Sequence, residues 1–124
     1  MITHERLIAE AADEVRVTRG ADAGHVARIV LAELALHLEI PQRRLLQRAL
    51  PAADRDAAYA TVPRSTGGAA ELVREVGRHL ELQPERARHL TRRVLSAIAD
   101  SDPDLVAALR PHLSPDIDDL FAAP

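Results

Sequence analysis

Apolar residues recur at helical spacing along most of this chain. Leu7, Ile8, Ala11, Ala12 and Val15 trace a first stripe, with Thr3 placed to cap it. Arg19-Gly20 reads as the end of that helix, where glycine adopts positive φ cheaply. Asp22 is a cap residue for a second helix running to about Leu38, with Val26, Val30 and Leu34 on one face. Ile40-Pro41 opens a short third helix and Leu50-Pro51 a fourth, ending near 59–61; proline suits a first helical position because its missing N–H has no partner there anyway. Residues 62–68 are a connector of proline, hydroxyl residues and glycine, in which Ser65 or Thr66 is expected to cap the next helix. Leu72, Val73, Val76 and Leu80 mark that fifth helix. Gln83-Pro84, Asp102-Pro103 and Ser114-Pro115 open three more, and Asp102 and Ser114 are cap types.

The pattern occurs twice. His25-Val26-Ala27-Arg28-Ile29-Val30 and His89-Leu90-Thr91-Arg92-Arg93-Val94 match at a shift of 64, histidine on histidine and arginine on arginine. A shift of 65 lays Leu7–Val17 on Leu72–Leu82. A shift of 60 lays Leu45 on Leu105 and Pro51 on Pro111, and one of 62 lays Tyr59 on Phe121, the only two aromatics. The small changes in shift correspond to loop deletions, which surface connections tolerate. These matches predict an all-α fold of about eight helices, a tandem duplication of a four-helix unit with pseudo-twofold symmetry. The expected bounds are a first repeat over 3–61, the connector 62–68 and a second repeat over 69–122, within a single helical domain spanning 1–124.

Three stretches carry a family likeness: Leu72–Leu82, Arg92–Ile98, and the terminal pieces Leu50-Pro51-Ala52-Ala53 with Tyr59 and Leu113-Ser114-Pro115-Asp116 with Phe121. Over nearly the whole chain the sequence resembles the uncharacterised bacterial family of domain of unknown function 2267. The resemblance implies the helical layout and no activity.

Composition narrows the function. At 124 residues the chain is long enough to bury a core without metal or disulfide staples, and with no cysteine it has neither disulfides nor thiolate chemistry. The first residues lack a basic segment followed by an apolar one, and no apolar run approaches the ~20 residues that span a bilayer, so a cytoplasmic protein without membrane association is expected. A net charge of −3 argues against broad binding to nucleic acid or anionic membrane. Every basic residue apart from histidine is arginine, which with abundant alanine looks like the codon bias of a GC-rich bacterial genome and not like function. The scarcity of aromatics argues against base-stacking platforms.

The candidate site is His25 and Arg28 with His89, Arg92 and Arg93. Each His/Arg pair is spaced i, i+3 and so shares a helix face; the ordinary reading is a solvated face, and the functional one an anion or partner site built from both repeats. Glu33 and His37, at i, i+4, have metal-ligand spacing, but without a third ligand the expectation is a satisfied, partly buried histidine and no metal. Arg86, Arg88, Arg92 and Arg93 make one helix locally basic, while the aspartates between 100 and 119 would repel phosphate. Asp116–Phe121 is read as the final helix of the fold, with Ile117, Leu120 and Phe121 packed. Gly67-Gly68 stands alone without a phosphate-loop pattern, and no serine sits in a nucleophile-elbow context, so no catalytic residue and no cofactor is assigned and the sequence leans against an enzyme. The reading that remains is a protein-interaction or scaffolding module, with a protein partner or a homodimer. The alternatives are a nucleic-acid-binding regulator using the arginine-rich helix near 85–99, and a small-ligand or anion binder between the repeats.

Overall fold

A computed structural model describes residues 1–15, 23–59 and 63–122. The Arg19-Gly20 turn, the Asp22 cap and the side chain of Val15 lie outside that description. The elements are α1 (His4–Val15), α2 (Ala23–Leu36), α3 (Ile40–Ala49), a 3₁₀ helix (Ala52–Ala58), α4 (Ala69–Leu80), α5 (Pro84–Ser101), α6 (Pro103–Leu109) running into a 3₁₀ turn (Arg110–His112), and α7 (Pro115–Asp119). Taking α6 with its turn as one element, the described residues form eight helical elements and no strand.

The helices interlock across the connector. α1 packs on both α2 and α5, and α4 packs on both α5 and α2. The paired stripes explain this. Val26, Val30 and Leu34 of α2 and Leu90, Val94 and Ile98 of α5 are all 0% exposed, so both helices turn these faces into one core. Leu7 and Ala11 join it from α1, and Leu72, Val73 and Val76 from α4. Burial of such side chains contributes roughly 1.5–3 kcal/mol each relative to exposure, which overrides the weak intrinsic helix propensity of valine and isoleucine.

Local chemistry fixes the ends. Thr3 caps α1 as expected: its Oγ1 accepts from the Arg6 N–H at 3.2 Å. Asp102 caps α6, accepting from the Leu105 N–H at 3.1 Å. α2 ends at Leu36, two residues before the expected bound, and carbonyls at and just beyond its end are taken up from outside the helix. The buried Arg43 donates from Nε to the Ala35 carbonyl at 2.8 Å, Arg64 Nε donates to the His37 carbonyl at 3.2 Å, and the Ser65 N–H donates to the Leu36 carbonyl at 2.6 Å.

The expectation that Ser65 or Thr66 caps α4 is corrected. Gly68 is the N-cap, without a side-chain bond of its own, and the Ala69 N–H donates to Asp116 Oδ2 of α7 at 2.9 Å. Ser65 is engaged elsewhere: its Oγ accepts from the Gly67 N–H and donates to Glu71 at 2.7 Å. Ser114 stands at the N-cap of α7, but its hydroxyl donates to Asp116 and caps no amide. The fourth helix is 3₁₀ and not α. Tyr59, just beyond it, is 71% exposed, whereas Phe121 is 5% exposed with Ile117 and Leu120 also buried. The two matched aromatics therefore sit in different environments.

Asp54 and Asp116 play related parts. Asp54, fully buried, receives His4 Nδ1 at 2.8 Å, tying the 3₁₀ helix to the first residue of α1. Asp116 ties α7 to the first residue of α4. The two aspartates are 62 positions apart and the two helix starts 65, the shifts found in the sequence.

His37 is the satisfied histidine foreseen from its apolar position. It is buried, and since a carbonyl only accepts, its Nδ1–H donates to the Gly67 carbonyl at 2.9 Å. Burial, the largest influence, holds its pKa below the ordinary 6.5. The folded chain therefore binds this proton less readily than the unfolded chain. Stability contributed by neutral His37 is fully present above pH 6.5 and falls as pH drops from there through the depressed folded value. In denaturant titrations across that window, the wild type is expected to lose stability with acid, and His37→Gln to show a shallower slope. Equal slopes would remove His37 as the source.

Candidate functional site

α5, the longest helix among the described residues, packs on both α1 and α4 and so borders a groove on either side. Its inner face is Ala87, Leu90, Thr91, Val94, Leu95 and Ile98, with the Thr91 hydroxyl donating back to the Ala87 carbonyl at 2.7 Å. Its polar residues then divide between two grooves.

The first groove, about 710 Å³, lies between α5 and α1, with Phe121 also in its lining. His89, Arg93, Ser96 and Asp100 line one wall, Arg6 and Glu10 the other. Arg93 Nε donates to Glu10 Oε2 at 2.9 Å. Arg6 reaches Glu10 at 3.4 Å and Asp100 at 3.2 Å. Both arginines that would hold an anion thus already face carboxylates.

The second groove, about 530 Å³, lies between α4 and the start of α5. Val73, Gly77, Leu82 and Pro84 give it an apolar lining, and Arg74, Arg78, Arg88 and Glu85 stand around it. Its shape comes from the turn after Leu80. Glu81 takes the left-handed conformation (φ 55°, ψ 45°), and the Leu82 N–H donates back to the Gly77 carbonyl at 3.0 Å. This is a Schellman closure with a non-glycine residue at the left-handed position, which costs roughly 1–2 kcal/mol. A Cβ on Gly77 would lie 3.1 Å from the Leu82 carbonyl oxygen and 3.2 Å from Ala87 Cβ. Glycine therefore lets α4 and α5 approach closely, and the groove floor is the seam between them.

The sequence candidates are distributed as follows. His89 and Arg93 line the first groove. Arg92 turns toward the C-terminal segment, with Nη2 3.5 Å from the Asp119 carbonyl. His25, exposed, and Arg28, half-buried, are on α2 and line neither groove, so the structure does not bring His25 beside His89 there. Glu33 and His37 part company: Glu33 meets His79 Nε2 at 3.2 Å, and burial pushes its carboxyl above the ordinary value. No group of three metal-ligating residues occurs among the described residues.

The apolar groove was missed in the sequence. Its signal is Val73 and Gly77 flanked by Arg74 and Arg78 at the same i, i+4 spacing, a pattern that any amphipathic helix shares.

The arginines of α5 do not form one continuous basic stripe, since Arg93 meets the Glu10 carboxylate, Arg92 turns to the Asp119 backbone carbonyl and Arg88 stands at the apolar groove. Duplex DNA is therefore expected to bind no tighter than ~10⁻⁴ M at physiological salt, the weak non-specific level. Anisotropy titrations of random duplexes at two salt concentrations check this. Micromolar binding abolished by Arg92→Ala/Arg93→Ala would favour the nucleic-acid-binding alternative.

No helix among the described residues is long and apolar enough to cross a membrane. No curated protein and no solved structure matches the chain. A family model, described as an uncharacterized conserved protein, matches residues 4–120, so the chain belongs to that family, DUF2267.

Proposed function

We propose that the chain is a protein-interaction module whose docking surface is the groove between α4 and α5. The observation that carries this is a groove open at the surface, with the buried Val73 and Gly77 as its floor, the half-buried Leu82 and the exposed Ala70 and Pro84 on its walls, and arginines on its rim; concave, apolar-lined sites with a few polar groups are where ligands and partners commonly seat. The surface belongs to one half of the chain only. At the shift of 65, Arg74, Gly77 and Arg78 fall on Ala9, Ala12 and Asp13, and at the shift of 64 Arg88 falls on Gly24. We read the chain as a duplication in which the second unit has been specialised for docking. The matched aspartate ties to the starts of α1 and α4 support that reading.

A second reading, a small-anion binder in the groove lined by Arg6, His89 and Arg93, draws on those three cationic groups; Glu10 and Asp100 beside them weigh against it.

The test is affinity capture from the native host with three baits. Ala70→Trp places bulk at an exposed position on the groove wall, and Ala53→Trp places the same bulk outside it. A protein captured by wild type and Ala53→Trp and lost from Ala70→Trp is the expected result. Equal capture by all three, or none by any, contradicts the reading.

A further inference from the structure

We infer that the groove between α4 and α5 receives an acidic amphipathic helix from a partner protein, its aliphatic side chains seated in the seam and its carboxylates on the arginine rim. The inference rests on the interaction reading above and specifies the chemistry of the occupant.

Length comes first. The lining positions on α4 run from Ala70 to Arg78, which at 1.5 Å per residue is about 12 Å, or roughly two helical turns of a partner. A helix laid along it would present aliphatic residues at i, i+3 or i+4, and i+7, the recurring mode of helix-in-groove recognition.

Charge then selects the occupant. Arg74 and Arg78 are exposed and one helical turn apart, so their guanidinium groups follow the groove axis at the spacing of carboxylates four residues apart on an incoming helix. Arg88 supplies a third cation from α5, against the single carboxylate of Glu85. Arg78 also holds Glu75 at 2.6 Å. The Arg78 side chain is largely exposed and that of Glu75 half-buried, and surface pairs of this kind exchange partners at little cost. Guanidinium groups suit carboxylates because they pair with them in two-pronged fashion. Nucleic acid fits poorly: the floor is apolar, and neither Tyr59 nor Phe121 lines this groove to stack a base.

The experiment uses the full chain and defined probes. A fluorescent, helix-forming peptide carries leucines on one face and glutamates on both flanks. A second has lysine at every glutamate, and laurate stands for a small carboxylated amphiphile. The acidic peptide is expected to bind saturably and to compete with nothing but itself. Arg74→Glu/Arg78→Glu alters exposed positions but gives up the Arg78–Glu75 pair and puts a carboxylate in the last turn of α4, so its melting curve is expected a few degrees lower and still cooperative; it is expected to weaken the acidic peptide roughly tenfold or more and to gain affinity for the lysine peptide. Ala70→Trp should block both. Equal binding of the two peptides to wild type overturns the acidic occupant and leaves the docking groove standing. Binding of laurate with neither peptide bound overturns both, and makes the groove a small-amphiphile site. Absence of binding by the acidic peptide overturns the inference outright.

Discussion

Cutting the chain between Ser65 and Thr66 is expected to leave two pieces that are largely unfolded alone and regain helical signal when mixed. The reason is the exchange of packing across the connector: α1 needs α5 as well as α2, and α4 needs α2 as well as α5. Polar ties follow the same crossing. Arg93 of α5 holds Glu10 of α1, His79 of α4 meets Glu33 of α2, and His37 holds the Gly67 carbonyl across the cut. Each piece has roughly 60 residues, a size at which only about 60% of the unfolded surface is buried even in an intact domain. A piece that also exposes one of its packed faces lacks the apolar burial to offset ordering its backbone. Circular dichroism melts of the separate and mixed pieces check this. Cooperative thermal unfolding of either piece alone would refute the interlocked arrangement.

Leu95→Ala and Ile98→Ala are each expected to cost about 2–5 kcal/mol, through lost transfer free energy and the cavity left behind. Both side chains are 0% exposed, on the helix that α1 and α4 share. That is a large part of the ~5–15 kcal/mol that holds a typical domain folded. Urea titration should show a lower midpoint with an unchanged slope, since the surface exposed on unfolding is nearly the same. Two unchanged midpoints would take α5 out of the core.

These predictions were within reach of the sequence because a 3.6-residue period states which face is buried. Val30 and Leu34 in α2, and Val94 and Ile98 in α5, sit where that period puts them. Thr3 and Asp102 were legible as caps because an N-cap bonds an amide two or three residues ahead, wholly within a short stretch. Asp116 was not. It caps α4 from 47 residues away, and only the folded chain brings it to Ala69. The 3₁₀ character of 52–58 was hidden for a different reason: a piece of seven residues opened by proline meets the same local rules whether its hydrogen bonds close at i+3 or i+4.

The functional residues divide along the same line. Periodicity places His89 and Arg92 on one outer face of α5, with Arg93 beside them, but it says nothing of what lies opposite. Glu10 and Asp100, which take up the charge of Arg93 and Arg6, come from spatial neighbours. The apolar groove lies at the far limit of sequence reasoning. Val73 belongs to the core and Leu82 packs against it, as any pattern would have them, and the groove that runs over them is shaped by the left-handed turn at Glu81 and the close approach at Gly77.

The most direct test of that groove as the docking surface is photo-crosslinking inside the native host. A photoreactive residue at Ala70 places the reactive group on the groove wall, and the same residue at Ala53 places it outside the groove. A discrete adduct with another protein from position 70, absent from position 53, is the predicted result. No protein adduct from position 70, or the same adduct from both positions, would contradict it.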